Sequence, residues 1–148
     1  MKLKLMCAFA VSLLGGCASV TPADSAQNTL RKTFPEPSRS MAGIFIYRNE
    51  LMDPGVVSSI ILDGQEIGKT SRMSFLYKEV TPGKHTLSTI PASDDATSTL
   101  HINVRRDTLS YVWQEVKASI PLGRSQLHAV DAGAGQEGVA QSTLAETR

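Results

Sequence analysis

The thiol of Cys17 is the side chain with the clearest chemistry in this 148-residue chain. It ends the segment Leu14-Gly15-Gly16-Cys17, so two small residues stand directly before it. An apolar run covers residues 5–14, and Lys2 and Lys4 give the chain a basic start. A basic start, an apolar stretch and small residues at a cleavage point are the three parts of a secretory signal peptide. The pattern therefore predicts export, with the cysteine at the processing point.

The same pattern resembles the lipobox of bacterial lipoproteins, in which an apolar residue and two small residues precede an obligate cysteine. The resemblance implies cleavage between Gly16 and Cys17, which would remove residues 1–16. It also implies lipid on the Cys17 thiol and acylation of the new amino terminus. An uncleaved membrane anchor is the alternative, although the apolar run is shorter than the roughly 20 residues that span a bilayer. Cys7 lacks small residues before it and would leave with the signal peptide.

The three histidines, His85, His101 and His128, are the next candidates for chemistry. None has a second His, Cys or carboxylate at the spacing of a metal site. The serines form neither a GxSxG nor an SxxK motif. Gly68-Lys69-Thr70 lacks the glycine spacing of a phosphate-binding loop. The sequence thus predicts no catalytic residue, no metal site and no cofactor.

Tyr111 and Trp113 are the candidate binding residues. They stand two positions apart, so in a strand they share one face. Such a pair can stack on a sugar or a peptide. The favoured interpretation is nevertheless that both belong to the core.

Charge and cysteine content exclude some classes of protein. Once Lys2 and Lys4 leave with the signal peptide, 13 basic and 14 acidic residues remain, so the 132-residue mature chain has a net charge of −1. A near-neutral chain has no electrostatic footprint for nucleic acid. Cys17 would be its only cysteine, which excludes an intrachain disulfide.

Residues 17–41 are predicted to be the lipidated cysteine followed by a flexible tether. The segment is rich in Ser, Thr, Pro, Gln and Asn, and Leu30 and Phe34 are too far apart to build an apolar face. As a coil, the stretch after the cysteine would span about 25–30 Å.

Residues 42–131 alternate between short apolar runs and turn signals, which predicts an all-β domain. The expected strands cover residues 43–47, 56–62, 66–69, 73–80, 85–90, 98–104, 109–116 and 124–130. Turn signals about every 8 to 12 residues are typical of an antiparallel β-sandwich or a small barrel. Residues 132–148 are predicted to be a tail or a weak helix over 136–145, because glycine is frequent there.

Two turn signals are specific. Asp63-Gly64 between apolar runs predicts a hairpin, since Gly accepts a positive φ at little cost. Pro82-Gly83 predicts a turn from which the next strand returns.

A family resemblance rests on three motifs in sequence: Ile61-Leu62-Asp63-Gly64, Ile67-Gly68-Lys69-Thr70 and Val80-Thr81-Pro82-Gly83-Lys84-His85-Thr86-Leu87. Their order resembles PEGA-type β-sandwiches. With residues 42–48 before them and 111–116 after them, the chain is similar to the bacterial lipoprotein family of the domain of unknown function 2846. The resemblance covers residues 42–131. It implies a small β-sandwich and an envelope address, and it supplies no catalytic residue.

The function expected from the sequence is therefore that of a non-enzymatic, membrane-anchored envelope lipoprotein. Its module would bind an envelope protein, a glycan or peptidoglycan, or serve a structural role. The alternative is an envelope enzyme, or a glycan-binding module, with a site that the sequence does not reveal. Ala18 follows Cys17, where an Asp would resemble an inner-membrane retention signal. The expected location is the outer membrane, facing the periplasm, with inner-membrane anchoring as the alternative.

Overall fold

Strands dominate the computed structural model, which describes residues 20–51, 55–91, 97–117 and 124–148. The elements in chain order are α1 (Ser25–Arg31), β1 (Ala42–Arg48), β2 (Ser58–Leu62), β3 (Gln65–Thr70), β4 (Ser74–Val80), β5 (Gly83–Pro91), β6 (Ser98–Val104), β7 (Leu109–Lys117), β8 (Arg124–Val130), α2 (Ala132–Gln141) and β9 (Thr143–Leu144). One sheet has the order β8-β7-β1-β4-β9, and the other has the order β3-β2-β5-β6. The prediction of an all-β sandwich with a short C-terminal helix is confirmed.

β1 lies in the middle of the larger sheet, and all seven of its residues are buried. Ile44 and Ile46 face the second sheet and join the apolar cluster between the sheets. Phe45 and Tyr47 face the opposite side and join an aromatic cluster on the outer face. The predicted strand buried on both faces is therefore confirmed.

The larger sheet is mixed, whereas the sequence predicted antiparallel pairing throughout. β1 pairs parallel with β7, and β4 pairs parallel with β9. After β4 the chain crosses to the second sheet, forms β5 and β6 there, and returns as β7 in the direction of β1. The excursion through the other sheet sets the strand direction, which local alternation does not encode.

The two predicted turns have different outcomes. Asp63 and Gly64 have φ of +49° and +84°, as a two-residue hairpin of type I′ requires, and they join β2 to β3. Gly83 has the positive φ of +137° expected of it. However, β5 does not return beside β4, because the chain at Pro82-Gly83 passes from one sheet to the other.

The predicted flexible tether is wrong for residues 20–41, which pack on the larger sheet. Asp24 caps α1 by accepting a hydrogen bond from the Ala26 backbone N–H at 2.8 Å. The Leu144 N–H donates to Asn28 Oδ1 at 2.9 Å, and the guanidinium of Arg31 lies 3.9 Å from the ring centre of Tyr77. The partners of this segment are distant in sequence, so its polar composition concealed its packing.

The C-terminal residues are also part of the fold. α2 begins four residues before the predicted weak helix and packs on the outer face of the larger sheet. Gly135 lies against the ring of Tyr111 and Gly138 against that of Tyr47, where a Cβ would overlap ring atoms. Glycine, which weakens an isolated helix, is what allows this helix to approach so closely. The folded unit therefore extends well beyond the predicted range of 42–131.

Candidate functional site

Cys17 and Gly16, the predicted lipidation and cleavage residues, lie outside the described residues. The described chain begins at Val20, which packs against the apolar cluster between the sheets. The Glu146 N–H donates to the Thr21 carbonyl at 3.0 Å, and the Ala23 N–H donates to the Leu144 carbonyl at 2.8 Å. Three residue steps separate Cys17 from Val20, which span at most about 10 Å. A lipid on Cys17 would thus be attached very close to the folded domain.

Two shallow grooves meet at Val20. One, of about 370 Å³, is lined by Val57 and Lys69 among others. The other, of about 400 Å³, runs along the turn after β3 and includes Arg72 and Met73. The chain therefore enters the domain at the end of the sandwich where β1 and β3 finish. We call this the anchor end, and its described residues include Leu51, Val57 and 71–73.

Arg48 is the largest fully buried side chain near the anchor end. Its Nε lies 2.6 Å from Glu50 Oε1, and its Nη1 donates to the Val56 carbonyl at 2.7 Å. The Ser142 hydroxyl donates to the Arg48 carbonyl at 3.1 Å. A buried charge is tolerated only with such partners. Arg48 therefore holds both sides of the loop between β1 and β2, and ties that loop to the end of α2.

A second buried polar group links the two sheets. The Thr70 hydroxyl donates to Gln114 Oε1 at 2.6 Å. Gln114 Nε2 in turn donates to the hydroxyls of Thr89 at 3.1 Å and Ser125 at 2.9 Å. We call Thr70, Thr89, Gln114 and Ser125 the polar cluster. None of these four groups ionises near neutral pH, so the cluster supports structure and offers no acid–base chemistry.

Sequence reasoning missed Arg48 and the polar cluster. The available signal was a change from apolar to polar residues along the inward face of single strands. It runs from Ile46 to Arg48 in β1 and from Val112 to Gln114 in β7. The alternation predicted which residues point inward. It did not reveal that their polar groups would meet across the sandwich.

His85 connects two turns at the opposite end of the sandwich. Its Nδ1 lies 2.6 Å from Asp63 Oδ2, and its Nε2 lies 2.7 Å from the Thr81 carbonyl. Burial lowers the pKa of His85, but the two hydrogen bonds and the charge of Asp63 together outweigh that effect, so the pKa is raised. The pKa of Asp63 is lowered, first by the hydrogen bond with His85 and then by the Thr86 N–H. Hydrogen bonds from His85 therefore link the turn at Asp63 to the turn at Thr81.

The other two histidines lie on strands, as predicted. His101 is exposed on β6, and its Nδ1 lies 3.1 Å from the Thr86 hydroxyl. His128 is only partly exposed, because it stacks on Trp113 and lies 3.1 Å from Glu115 Oε2. Among the described residues, no group of three or more His, Cys, Asp or Glu side chains is placed to hold a metal ion.

Tyr111 is a core residue, as the favoured interpretation predicted, so it is not the binding residue that the alternative required. Its side chain is 4% exposed and its ring stacks on Phe45 at 5.4 Å. The predicted shared face is correct, and that face carries α2. A ring covered on this side cannot also receive a sugar or a peptide.

Trp113 differs from Tyr111 because it remains partly exposed. Its indole stacks on His128, with ring centres 5.3 Å apart. Glu115, two positions further along β7, is bonded to the same histidine. Trp113 is thus the member of the predicted pair that keeps some solvent exposure, and its role in binding stays a prediction.

These features define a class: a two-sheet β-sandwich with a mixed larger sheet, an outer C-terminal helix and a hydrogen-bonded polar cluster between the sheets. The chain belongs to the family described as "Protein of unknown function (DUF2846)", whose sequence profile matches residues 38–125. The predicted family membership is therefore confirmed. The match ends near the start of β8 and excludes α1, α2 and β9, which pack on the outer face or edge of the larger sheet.

A relative shows similarity beyond the family's matched region. The chain is 26% identical over 133 residues to an uncharacterized protein of Haemophilus influenzae, a match that covers 90% of this chain and 78% of the relative. No solved structure matches the chain. Within the described residues, no helix has the length and apolar character needed to cross a bilayer.

Proposed function

We propose that this protein is a lipid-anchored lipoprotein of the bacterial cell envelope, with a non-enzymatic β-sandwich as its binding or structural module. The observation that carries the proposal is the position of Cys17. It follows Leu14-Gly15-Gly16 at the end of a signal-like segment, and Val20, which packs against the apolar cluster of the domain, is only three residues further along. The absence of Asp at position 18 supports the outer membrane, facing the periplasm, as the location.

The polar interior supports a module without catalysis. The hydroxyl and amide groups of the polar cluster bond to one another, and Arg48 is bonded to a carboxylate and to backbone carbonyls. Catalytic groups need partners that shift their pKa values toward the working pH and a space for substrate beside them. These side chains are instead closed into the fold. Their chemistry fits a rigid scaffold that presents a surface to an envelope protein or a glycan.

Metabolic labelling with an alkyne fatty acid tests the anchor. We expect the parent chain to take up label and Cys17→Ser to take up none and to remain a longer precursor, because the thiol is the attachment point. Cys7→Ser is the matched control, since it removes the other cysteine of the chain and should leave labelling unchanged. Equal label on Cys17→Ser and parent, or no label on the parent, would refute the proposal.

Glycan or peptidoglycan binding is a second candidate, favoured by the partial exposure of Trp113 beside His128 and Glu115. The exposed part of the indole ring could stack on the apolar face of a sugar, while its Nε1 is buried in the domain. Trp113 is the only tryptophan of the chain, so its intrinsic fluorescence reports on this position alone. We expect soluble peptidoglycan fragments to shift its emission in a saturable way. Binding by calorimetry without any change in emission would place the site elsewhere.

A further inference from the structure

Leu51 is the most exposed large apolar side chain among the described residues, at 77%. A single exposed leucine is ordinary on a protein surface and needs no special explanation. Its surroundings are what distinguish this one. Arg72 Nη1 donates to the Leu51 carbonyl at 3.3 Å, and Arg72 also lines the groove that begins at Val20. Leu51 therefore projects from the same end of the sandwich at which the chain enters the domain.

The base of the Leu51 loop is fixed to the interior. Glu50, the residue before Leu51, is paired with the buried Arg48. Val56, on the far side of the loop, accepts a hydrogen bond from the same guanidinium. The buried guanidinium of Arg48 thus fixes the chain directly before Leu51 and again at Val56.

The charged side chains near Val20 are of both signs, and one of the cations, Arg72, is bonded to the Leu51 carbonyl. Arg72 and Lys69 are both exposed at the anchor end. Arg148 is exposed there as well, but it is 3.1 Å from Glu66 and is neutralised by it. Glu146 is the acidic residue that lines the groove with Lys69. Cations beside an apolar tip suit a surface of lipid phosphates over acyl chains.

We infer that the anchor end docks on the phospholipid bilayer, with Leu51 in the headgroup layer and Arg72 and Lys69 facing lipid phosphates. The inference rests on the proposed lipidation of Cys17. Acyl chains on Cys17 place Val20 within about 10 Å of the membrane surface, because only three residue steps intervene. The domain then has little freedom to turn its other end toward the lipid, and the side chains beside Val20 meet the headgroups first.

Fluorescence quenching on the full lipidated chain tests this orientation. Cys7 leaves with the signal peptide and Cys17 is blocked by lipid, so Leu51→Cys carries the one reactive thiol of the mature chain. It is labelled with an NBD fluorophore and reconstituted into vesicles of phosphatidylethanolamine and phosphatidylglycerol. Gln65→Cys is the control, because residue 65 is exposed beside the Asp63-Gly64 hairpin at the opposite end.

Nitroxide-labelled lipid should remove most of the emission at residue 51 and little of it at residue 65. The two positions are separated by a strand of about five residues, or roughly 17 Å or more. Vesicle flotation is measured on the same samples. A chain that floats without quenching at residue 51, or with equal quenching at both positions, overturns the orientation and leaves the lipid anchor standing. A chain that does not float overturns the anchor, and the orientation with it.

Discussion

The space between the two sheets has an apolar part and a polar part. On five strands, the inward-facing residues change from apolar to polar within two positions. Inward-facing neighbours two residues apart show the change: Ile46 and Arg48, Ile60 and Ser58, Leu87 and Thr89, Val112 and Gln114, Leu127 and Ser125. The apolar part gains stability in proportion to the area it buries. The polar part depends on each partner being present, since an unpaired buried polar group is costly. The two parts should therefore respond very differently to substitution.

The largest loss of stability is expected from removing the buried charge of Arg48. Arg48→Met keeps the bulk of the side chain but leaves Glu50 and the Val56 carbonyl without their buried donor. We expect a loss of about 3 kcal/mol in the free energy of unfolding, at the lower end of the cost of breaking a buried pair, because Glu50 retains some contact with solvent. Urea unfolding measures this loss. Arg106→Met, at an exposed turn, is the control and should change stability by less than about 0.5 kcal/mol.

A similar stability for both arginine variants would show that Arg48 is not the support of the loop between β1 and β2. The inferred position of Leu51 would then lose its structural basis.

A smaller effect is expected from Gln114→Leu. The substitution preserves size and leaves Thr70, Thr89 and Ser125 without the amide that links them. We expect a loss of about 2 kcal/mol, because three buried hydrogen bonds to the amide are lost, although the Ser125 hydroxyl can still donate to the Thr89 hydroxyl and the Thr70 hydroxyl to the Ser58 carbonyl. Leu87→Met in the apolar part is the comparison and should cost less than about 1.5 kcal/mol, because volume is conserved.

A combined variant sharpens the same comparison. Adding Thr70→Val, Thr89→Val and Ser125→Ala to Gln114→Leu removes the buried hydroxyls that lost the amide as a partner, so part of the lost stability should return. If the combined variant is less stable than Gln114→Leu alone, the hydrogen bonds of the polar cluster are not the reason for its sensitivity.

The smallest effect on stability is expected at the His85–Asp63 pair, which lies in the turns opposite the anchor end. The pKa of His85 is raised from 6.5, so its contribution is complete below that value and is lost as the pH rises through the folded-state pKa. The pKa of Asp63 is lowered from 3.8, so its contribution is complete above that value and is lost as the pH falls through the folded-state pKa. The coupling between the two side chains should therefore be greatest between these ordinary values.

A double-mutant cycle with Asp63→Asn and His85→Gln measures that coupling. We expect about 1 kcal/mol or less near pH 5, because the Asp63 side chain is 48% exposed and solvent screens the pair. At pH 9 the coupling should be smaller. A coupling that stays constant from pH 5 to pH 9 would show that the contact is an uncharged hydrogen bond in both conditions.

Local sequence patterns determined the strands and the hairpin. Alternation in residues 98–104 predicted β6, whose outward side chains are exposed and whose inward ones are covered. Asp63-Gly64 predicted its own turn, because the positive φ it needs is a property of those two residues. The motif order in residues 42–131 was sufficient to indicate the family. Cys17 and the segment before it remain a prediction from the sequence alone.

Tertiary structure decided how these elements meet. The segment 20–41 has no periodic apolar face, yet Phe34 packs against Phe45 and Tyr111, and Asn28 accepts a hydrogen bond from a residue 116 positions away. Arg48 follows an apolar strand and is polar in isolation, yet it is fully buried because Glu50 and the carbonyl of Val56 surround its guanidinium. The sequence encodes such outcomes only through contacts between distant residues. Local periodicity could not show these contacts, because it indicates which way a side chain points but not which residues of other elements lie next to it.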